Sequence, residues 1–181
     1  MRKYRKMIRT ILFALALAFV FRYFIFASYI VDGESMEPTL NDGNLLMVNK
    51  VVYDWHSVGR QDVIVFHANK KEDYVKRVIG VAGDKIRFKD DKLYVNSKIV
   101  PEHYLDPLRP HDGELFTEDF TLEQVTQHER VPEGKIFVMG DNRRDSLDSR
   151  YFGFVSIDQV VGKVDVRYWP VSQLALQFKA E

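Results

Sequence analysis

A serine, a lysine and a charged loop are the features of this sequence that could carry out chemistry. Ser35 lies in a short segment bounded by Gly33 and Pro38, and such a segment is typical of a turn. A serine becomes a nucleophile when a nearby base takes its proton, and a neutral lysine can act as that base. Lys76 is the candidate base, because it lies in an apolar stretch that begins at Tyr74.

The surroundings of Lys76 indicate how its side chain could be neutral. In a strand with a two-residue period, Tyr74, Lys76 and Val78 share one face. If that face is buried, burial disfavours the ammonium and lowers the lysine pKa by several units from about 10.4. A shift of about 3 units costs ~4 kcal/mol, which a fold tolerates only for a reason. The alternative is a surface lysine that points into water.

The charged loop covers residues 140–150 and holds three acids, three arginines and two serines. A calcium loop is excluded, because counting from Asp141 neither a Gly at the sixth place nor a Glu at the twelfth is present. The loop lies between the apolar segments 136–139 and 151–154. Asp–Arg pairs are therefore expected to order it, and a solvated turn is the alternative.

The composition excludes several classes of protein. The 181 residues carry a formal net charge of zero, which gives no reason to expect nucleic acid as a partner. The chain has no cysteine, so disulfides, thiolate zinc sites and cysteine nucleophiles are excluded. No metal site and no cofactor are predicted, since no His-Glu-x-x-His spacing occurs among the five histidines His56, His67, His103, His111 and His128.

The N-terminal segment predicts a membrane anchor. Five basic residues and no acid occur in residues 1–9, and the apolar run Ile11–Phe21 follows. Arg22 interrupts this run before residues 23–31 resume it. We predict a cytoplasmic tail at 1–9 and a transmembrane helix at 10–31, in which Arg22 must snorkel unless the span is shifted toward 7–21.

Two other interpretations of this segment stay open. A cleavable signal peptide would place its cleavage site at the small residues Ala27 and Ser28, although Ile25 and Phe26 fit that poorly. A buried core helix is the second alternative. If the anchor is correct, the rest of the chain lies on the outer face of the membrane.

The remainder of the chain, residues 32–181, predicts a mainly β domain. Asp90 and Asp91 mark a hairpin, and residues 118–127 hold the one possible helical pattern. Residues 101–131 are rich in proline and acids and are expected to be irregular, within an inserted subdomain at about 84–134. The predicted strands are residues 45–48, 63–66, 74–81, 85–88, 93–95, 135–139 and 160–168.

Taken together and in this order, the chemical motifs resemble those of the type I signal peptidases. The resemblance implies an N-terminal transmembrane helix followed by a coiled β-sheet catalytic domain, with a second subdomain smaller than in two-span members. Gln61-Asp62 stands where the family usually has Gly-Asp. The matching segments are Ser35-Met36-x-Pro38-Thr39-Leu40, Lys76-Arg77, and Gly140-Asp141-Asn142-Arg143-x-x-Ser146-x-Asp148-Ser149-Arg150.

The resemblance also implies roles for individual residues. Ser35 is the nucleophile, Lys76 is the general base, and the Ser146 hydroxyl orients the lysine. The Ser35 N–H is an oxyanion donor, and Gly33 N–H or a water replaces a serine hydroxyl that many members have two residues earlier. Ion pairs that hold the site are expected from Asp141, Arg143, Asp148 and Arg150. Substrate pockets are expected from Tyr29, Val31, Met36, Leu40 and Val75.

The implied function is a serine endopeptidase that removes signal peptides from exported preproteins, after small residues at positions −1 and −3. Its partners would be these signal peptides and the lipid bilayer. It would be a single-pass protein of the plasma membrane, with its N-terminus in the cytoplasm. The alternatives are a self-cleaving regulator with a similar dyad, a catalytically inactive homologue, and a membrane-tethered β module that only binds partners.

Overall fold

The computed structural model describes residues 2–110, 114–176 and 178. His111 and the side chain of Arg22 lie outside the described residues. The helices are α1 (Arg2–Ile25), α2 (Val52–Trp55), α3 (Leu122–Thr126) and α4 (Ser149–Phe152). The strands are β1 (Phe26–Ile30), β2 (Leu45–Asn49), β3 (Val63–His67), β4 (Asp73–Val81), β5 (Ile86–Lys89), β6 (Lys92–Val95), β7 (Lys98–Val100), β8 (Phe120–Thr121), β9 (Lys135–Met139), β10 (Val155–Ser156), β11 (Val160–Trp169) and β12 (Ala175–Leu176).

The larger sheet has eight antiparallel strands in the order β1-β2-β11-β3-β4-β9-β10, with β12 on β11. β3 is central, and its first four residues are buried because strands flank it and both faces are covered. In β2 burial alternates, with Leu46 and Val48 fully buried. This sheet holds most of the predicted strands, and a mainly β fold is confirmed.

Two stretches of the larger sheet leave main-chain edges open. β1 ends the strand order and has β2 as its neighbour. β4 pairs with β3 from Asp73 to Arg77, whereas β9 pairs with β4 between Arg77 and Val81. The Tyr29 hydroxyl of β1 donates a hydrogen bond of 3.0 Å to Asp73 of β4. The open edges of β1 and β4 therefore lie next to each other.

The smaller sheet has the order β7-β6-β5-β8 and lies within residues 84–134. β5 alternates between buried Ile86 and Phe88 and exposed charged residues, so one face packs on the core. The β5–β6 hairpin turns at Asp90 and Asp91, as predicted, with left-handed φ values of 49° and 59°. Of the helical pattern at 118–127, α3 is the part that is helical.

The end of the N-terminal helix differs from the prediction. α1 ends at Ile25, and Phe26–Ile30 pair with β2 as β1, although these residues were assigned to the anchor. The strand is favoured because the ladder with β2 satisfies the main-chain groups on one of its edges and Val31 is buried in the core directly after it. A single helix over 10–31 is therefore corrected to a helix that ends at Ile25.

Two of the interpretations of the N-terminal segment, the cleavable signal peptide and the membrane anchor, can be compared with the structure. Ala27 and Ser28, the cleavage site that a signal peptide would need, lie inside β1 and are paired with β2. Within the described part of the chain, no helix combines the length and the apolarity that crossing a membrane requires. The membrane anchor stays a prediction.

Candidate active site

Ser35 and Lys76 come together where the turn after β1 meets strand β4. Lys76 Nζ donates a hydrogen bond of 2.6 Å to Ser35 Oγ. Lys76 is only 4% exposed, as the strand pattern predicts if its face is buried. Direct contact between a hydroxyl and an amine is the geometry that proton transfer requires.

Burial sets the ionisation of this lysine. It lowers the pKa of Lys76 from 10.5 to about 8, because burial removes water from around the ammonium. The carboxylates of Asp148 and Asp141 oppose this change, and the Arg150 guanidinium adds to it. A large fraction of the side chain is therefore a free amine just above pH 8, able to accept a proton.

The turn that carries Ser35 is braced by the charged loop. The Asn142 N–H donates to the Ser35 carbonyl oxygen at 3.1 Å, and Asn142 Nδ2 donates to the Glu34 carbonyl oxygen at 3.3 Å. Gly140 lies so close that a Cβ there would collide with the Ser35 carbonyl oxygen and with Ser146 Oγ. The sequence motif contains Asn142, but only the fold reveals that it holds the peptide groups on both sides of the serine.

The backbone donors predicted for the oxyanion are the N–H groups of Ser35 and Gly33. The Gly33 N–H donates to Asp42 Oδ1 at 2.9 Å in this structure, and its role as an oxyanion donor, for which a water was the alternative, stays a prediction. Among the described residues, no acceptor is paired with the Ser35 N–H. The Ser35 N–H is thus the backbone donor that stays available beside the nucleophile.

Two buried ion pairs order the loop that follows β9. Arg150 donates to the fully buried Asp148 through Nε and Nη2 at 2.8 Å each, and the Gly140 N–H donates to Asp148 at 3.0 Å. Arg77 donates to Asp141 from Nε at 2.8 Å and from Nη2 at 2.7 Å. The Asp–Arg pairing expected from the sequence is present, and Arg77 is a partner that the sequence did not identify.

A third buried pair joins this loop to the inserted segment. Arg143 Nη2 donates to Glu102 Oε1 at 2.6 Å, with side chains 0% and 2% exposed. The Tyr104 hydroxyl donates to Glu102 at 2.8 Å, and its ring centroid lies 3.8 Å from the Arg77 guanidinium carbon. The sequence analysis missed Glu102 and Tyr104, because they lie in the segment interpreted as irregular.

Ser146 occupies a buried place without making the predicted contact. Its Oγ is buried and has no hydrogen-bond partner among the described residues. It packs against Gly140, while Lys76 Nζ donates to Ser35. The expectation that this hydroxyl orients the lysine is not met in this structure.

A cavity of about 240 Å³ opens beside Ser35 and Lys76. Its lining includes Tyr29, Val31, Met36 and Val75, which were all predicted to bind substrate. Leu40 was predicted with them but is 0% exposed, and its side chain packs into the core cluster of Val31 and Met36 rather than into the cavity wall. The cavity wall thus combines the apolar side chains of Val31, Met36 and Val75 with the charged Asp73 and Lys76.

Possible metal ligands are dispersed over the described residues. Across residues 2–110, 114–176 and 178, no group of three or more His, Asp or Glu side chains is arranged to hold a metal ion. The acids near the Ser–Lys pair, Asp141 and Asp148, are paired with Arg77 and Arg150. Guanidinium groups thus take up their carboxylate oxygens.

Comparison with known proteins gives a consistent family. Residues 4–169 match the family described as Signal peptidase, peptidase S26. The chain is 62% identical over 159 residues to signal peptidase I of Bacillus caldolyticus, covering 87% of each chain. It is 44% identical over 173 residues to signal peptidase IB of Staphylococcus aureus, covering 93% of this chain and 91% of that protein.

A solved structure is also similar to this one. The crystal structure of a signal peptidase I from Enterococcus faecalis superposes with a TM-score of 0.57 and 41% sequence identity. The match covers 60% of this chain and 97% of that chain. The similarity therefore includes nearly the whole of the solved protein.

The buried Arg143–Glu102 pair leads to a stability prediction. Glu102→Gln leaves the Arg143 charge buried without a counter-charge, so we expect the free energy of unfolding to fall by about 3 kcal/mol or more. The matched control is Glu114→Gln, because Glu114 is 67% exposed and pairs with Arg144 at 3.0 Å. That change should stay within about 0.5 kcal/mol. Urea denaturation measures both, and equal effects would contradict the assignment.

Proposed function

Because the chain belongs to the signal peptidase family, peptidase S26, we propose that it removes signal peptides from exported preproteins with Ser35 as nucleophile and Lys76 as general base. The observation that carries the proposal is the 2.6 Å hydrogen bond from a buried lysine to a serine hydroxyl. The adjoining cavity and the open strand edges supply a place for a peptide.

The proposed reaction begins with acylation of the serine. Ser35 Oγ attacks the carbonyl carbon of the scissile bond while its proton moves to Lys76 Nζ. The oxyanion that forms accepts a hydrogen bond from the Ser35 N–H. Lys76 then gives the proton to the leaving nitrogen, the C–N bond breaks, and the mature protein departs with a new amino terminus.

Hydrolysis of the acyl-enzyme completes the proposed cycle. Lys76, again neutral, takes a proton from a water molecule, whose oxygen attacks the ester carbonyl carbon. The ester bond to Ser35 Oγ breaks, the proton returns to Oγ from Lys76, and the signal peptide leaves with a new carboxylate. The two nearby carboxylates, Asp141 and Asp148, are paired with Arg77 and Arg150 and have no role as bases in this scheme.

The proposed substrate is an extended peptide segment. It would lie between the open edges of β1 and β4, where free main-chain groups can pair with it. The side chain at position −1 enters the cavity beside Ser35. A volume of about 240 Å³ shared with position −3, with walls from Val31, Met36 and Val75, favours small apolar side chains.

We also propose that α1 anchors the enzyme in the plasma membrane, with the site on the outer face. The apolar run Ile11–Phe21 lies in α1, and Phe13 and Phe19 are 70% and 72% exposed. Ile30 of β1 and Trp169 of β11 are also exposed. Both pair with Leu45 of β2, which lies between these two strands. Apolar surface of this extent is stabilised by contact with lipid.

Alkaline carbonate extraction of cell membranes tests the anchor. An integral anchor keeps the full-length protein in the membrane pellet at high pH, because burial in hydrocarbon does not depend on the surface ionic contacts that high pH disrupts. Release into the supernatant, as expected for a surface-bound protein, would contradict the anchor without bearing on the peptidase activity.

Cleavage of a preprotein tests the catalytic proposal. Full-length protein in detergent should cut a preprotein after an Ala-x-Ala site, and Ser35→Ala and Lys76→Ala should each lower kcat roughly a thousandfold or more. The matched control is Lys98→Ala in β7, an exposed lysine of the smaller sheet, which should retain activity. Circular dichroism checks that each variant is folded.

The outcomes of this assay separate the alternatives. Cleavage that survives Lys76→Ala would mean that another base acts on Ser35. Absence of cleavage by the parent protein across lipids and at pH 8–9 would favour the tethered binding module over the peptidase.

A further inference from the structure

A second cavity adjoins the one that contains Ser35. It has a volume of about 290 Å³, similar to the first, and its lining includes Phe66, Phe152 and Phe154. Tyr74 and Leu147 line both cavities. The two cavities therefore share a wall, and whatever binds in the first lies beside the entrance to the second.

The two cavities border packed clusters that lie on opposite faces of β4. Val75 packs with the core cluster of Val31 and Met36, which borders the first cavity. Tyr74 packs with the cluster that contains Phe66, which borders the second. This follows from the strand geometry, since neighbouring side chains point to opposite faces. Tyr74 and Lys76, which share a face, also line the first cavity, so that cavity reaches both faces at the open edge of β4, whereas the second borders the face of Tyr74.

An extended peptide beside the open edge of β4 would place its side chains in the two cavities alternately. The carbonyl carbon of residue −1 must reach Ser35 Oγ, so the side chain at −1 enters the cavity that Ser35 lines. The two-residue period puts −3 on the same side and −2 on the other. The −2 side chain is then directed toward Tyr74 and Leu147, at the shared wall.

We propose that the second cavity is a specificity subsite for a large apolar side chain at position −2 of the signal peptide. The inference rests on the proposed function and names a preference within it. The preferred type of side chain is inferred from the residues that line the cavity. These include three phenylalanines, and its polar members Asn69 and Gln159 are uncharged. An aromatic ring fits these surroundings, whereas a carboxylate would lose water without gaining a cation.

The exposure of the residues that line the second cavity agrees with a ligand that binds reversibly. Leu147 is 55% exposed and Phe152 is 40% exposed, although both are large apolar side chains next to the proposed active site. A ring held between them removes apolar surface from water on both partners. Because this contact involves none of the reacting atoms, it stabilises the bound substrate and the transition state alike and changes KM more than kcat.

Paired substrates and one variant test the subsite. Preprotein segments with Ala at −1 and −3 carry Phe, Ala or Asp at −2, and a fourth carries Ala at −2 and Phe at +1. The full-length parent should cleave the −2 Phe substrate with a kcat/KM roughly tenfold above that of the −2 Ala substrate, mainly through KM, with −2 Asp slowest. Phe152→Ala should bring the Phe-to-Ala ratio close to one.

The control for Phe152→Ala is a variant that changes a different cavity. Ile157→Ala removes an apolar side chain of similar exposure, 41%, from a different cavity, and should keep the parent ratio. Equal cleavage of the −2 Phe and −2 Ala substrates, a ratio unchanged by Phe152→Ala, or a Phe preference at +1 alone would overturn the subsite. Failure of the parent to cleave any of the four would instead overturn the proposed peptidase function.

Discussion

The burial of Lys76 within hydrogen-bond distance of Ser35 is the constraint on which the rest of the structure depends. A buried ammonium is unfavourable, and the lowered pKa of about 8 expresses that cost. The two nearby carboxylates, Asp141 and Asp148, would restore the charge if they were free. Each is instead paired with an arginine, Arg77 or Arg150, so their pull on the lysine is partly offset.

The segment between β7 and β8 participates in this arrangement through buried polar contacts. Glu102 neutralises Arg143, and Tyr104 links that pair to Arg77 by a hydrogen bond and a cation–π contact. Removing one partner of such a pair leaves an uncompensated buried charge. Each pair is therefore needed to keep the other charges of the cluster neutralised. The charged loop and the inserted segment are therefore one structural unit, and the loop braces the serine turn through Asn142.

The sequence predicts the parts of this structure that depend on local pattern. The strands follow from short apolar stretches rich in Val, Ile, Phe and Tyr. The burial of Lys76, predicted on the condition that the face of Tyr74 and Val78 is buried, is confirmed. Contacts between distant segments could not be predicted in this way. Glu102 pairs with Arg143, and Asp42 accepts a hydrogen bond from the Gly33 N–H. Both contacts depend on how the chain folds back on itself, which residue spacing alone does not reveal.

Other differences between prediction and structure arise where one sequence pattern is compatible with two kinds of secondary structure or side-chain direction. Phe26–Ile30 are aromatic and apolar, which suits a membrane helix and an edge strand equally, and pairing with β2 decides between them. Leu40 and Met36 belong to the same motif, yet both are almost fully buried and Met36 alone also reaches the cavity wall. The direction of a side chain within a turn is set by tertiary packing.

The most direct test of the account is the ionisation of Lys76 itself. Lysine side-chain NMR over a pH titration of the resting, full-length protein would report it, with the Lys76→Ala variant identifying the signal. We expect one lysine signal that reports loss of a proton near pH 8 and that is absent from the variant. Titration of every lysine near the ordinary value of about 10.4 would show that Lys76 stays charged at neutral pH, and would contradict its role as the base.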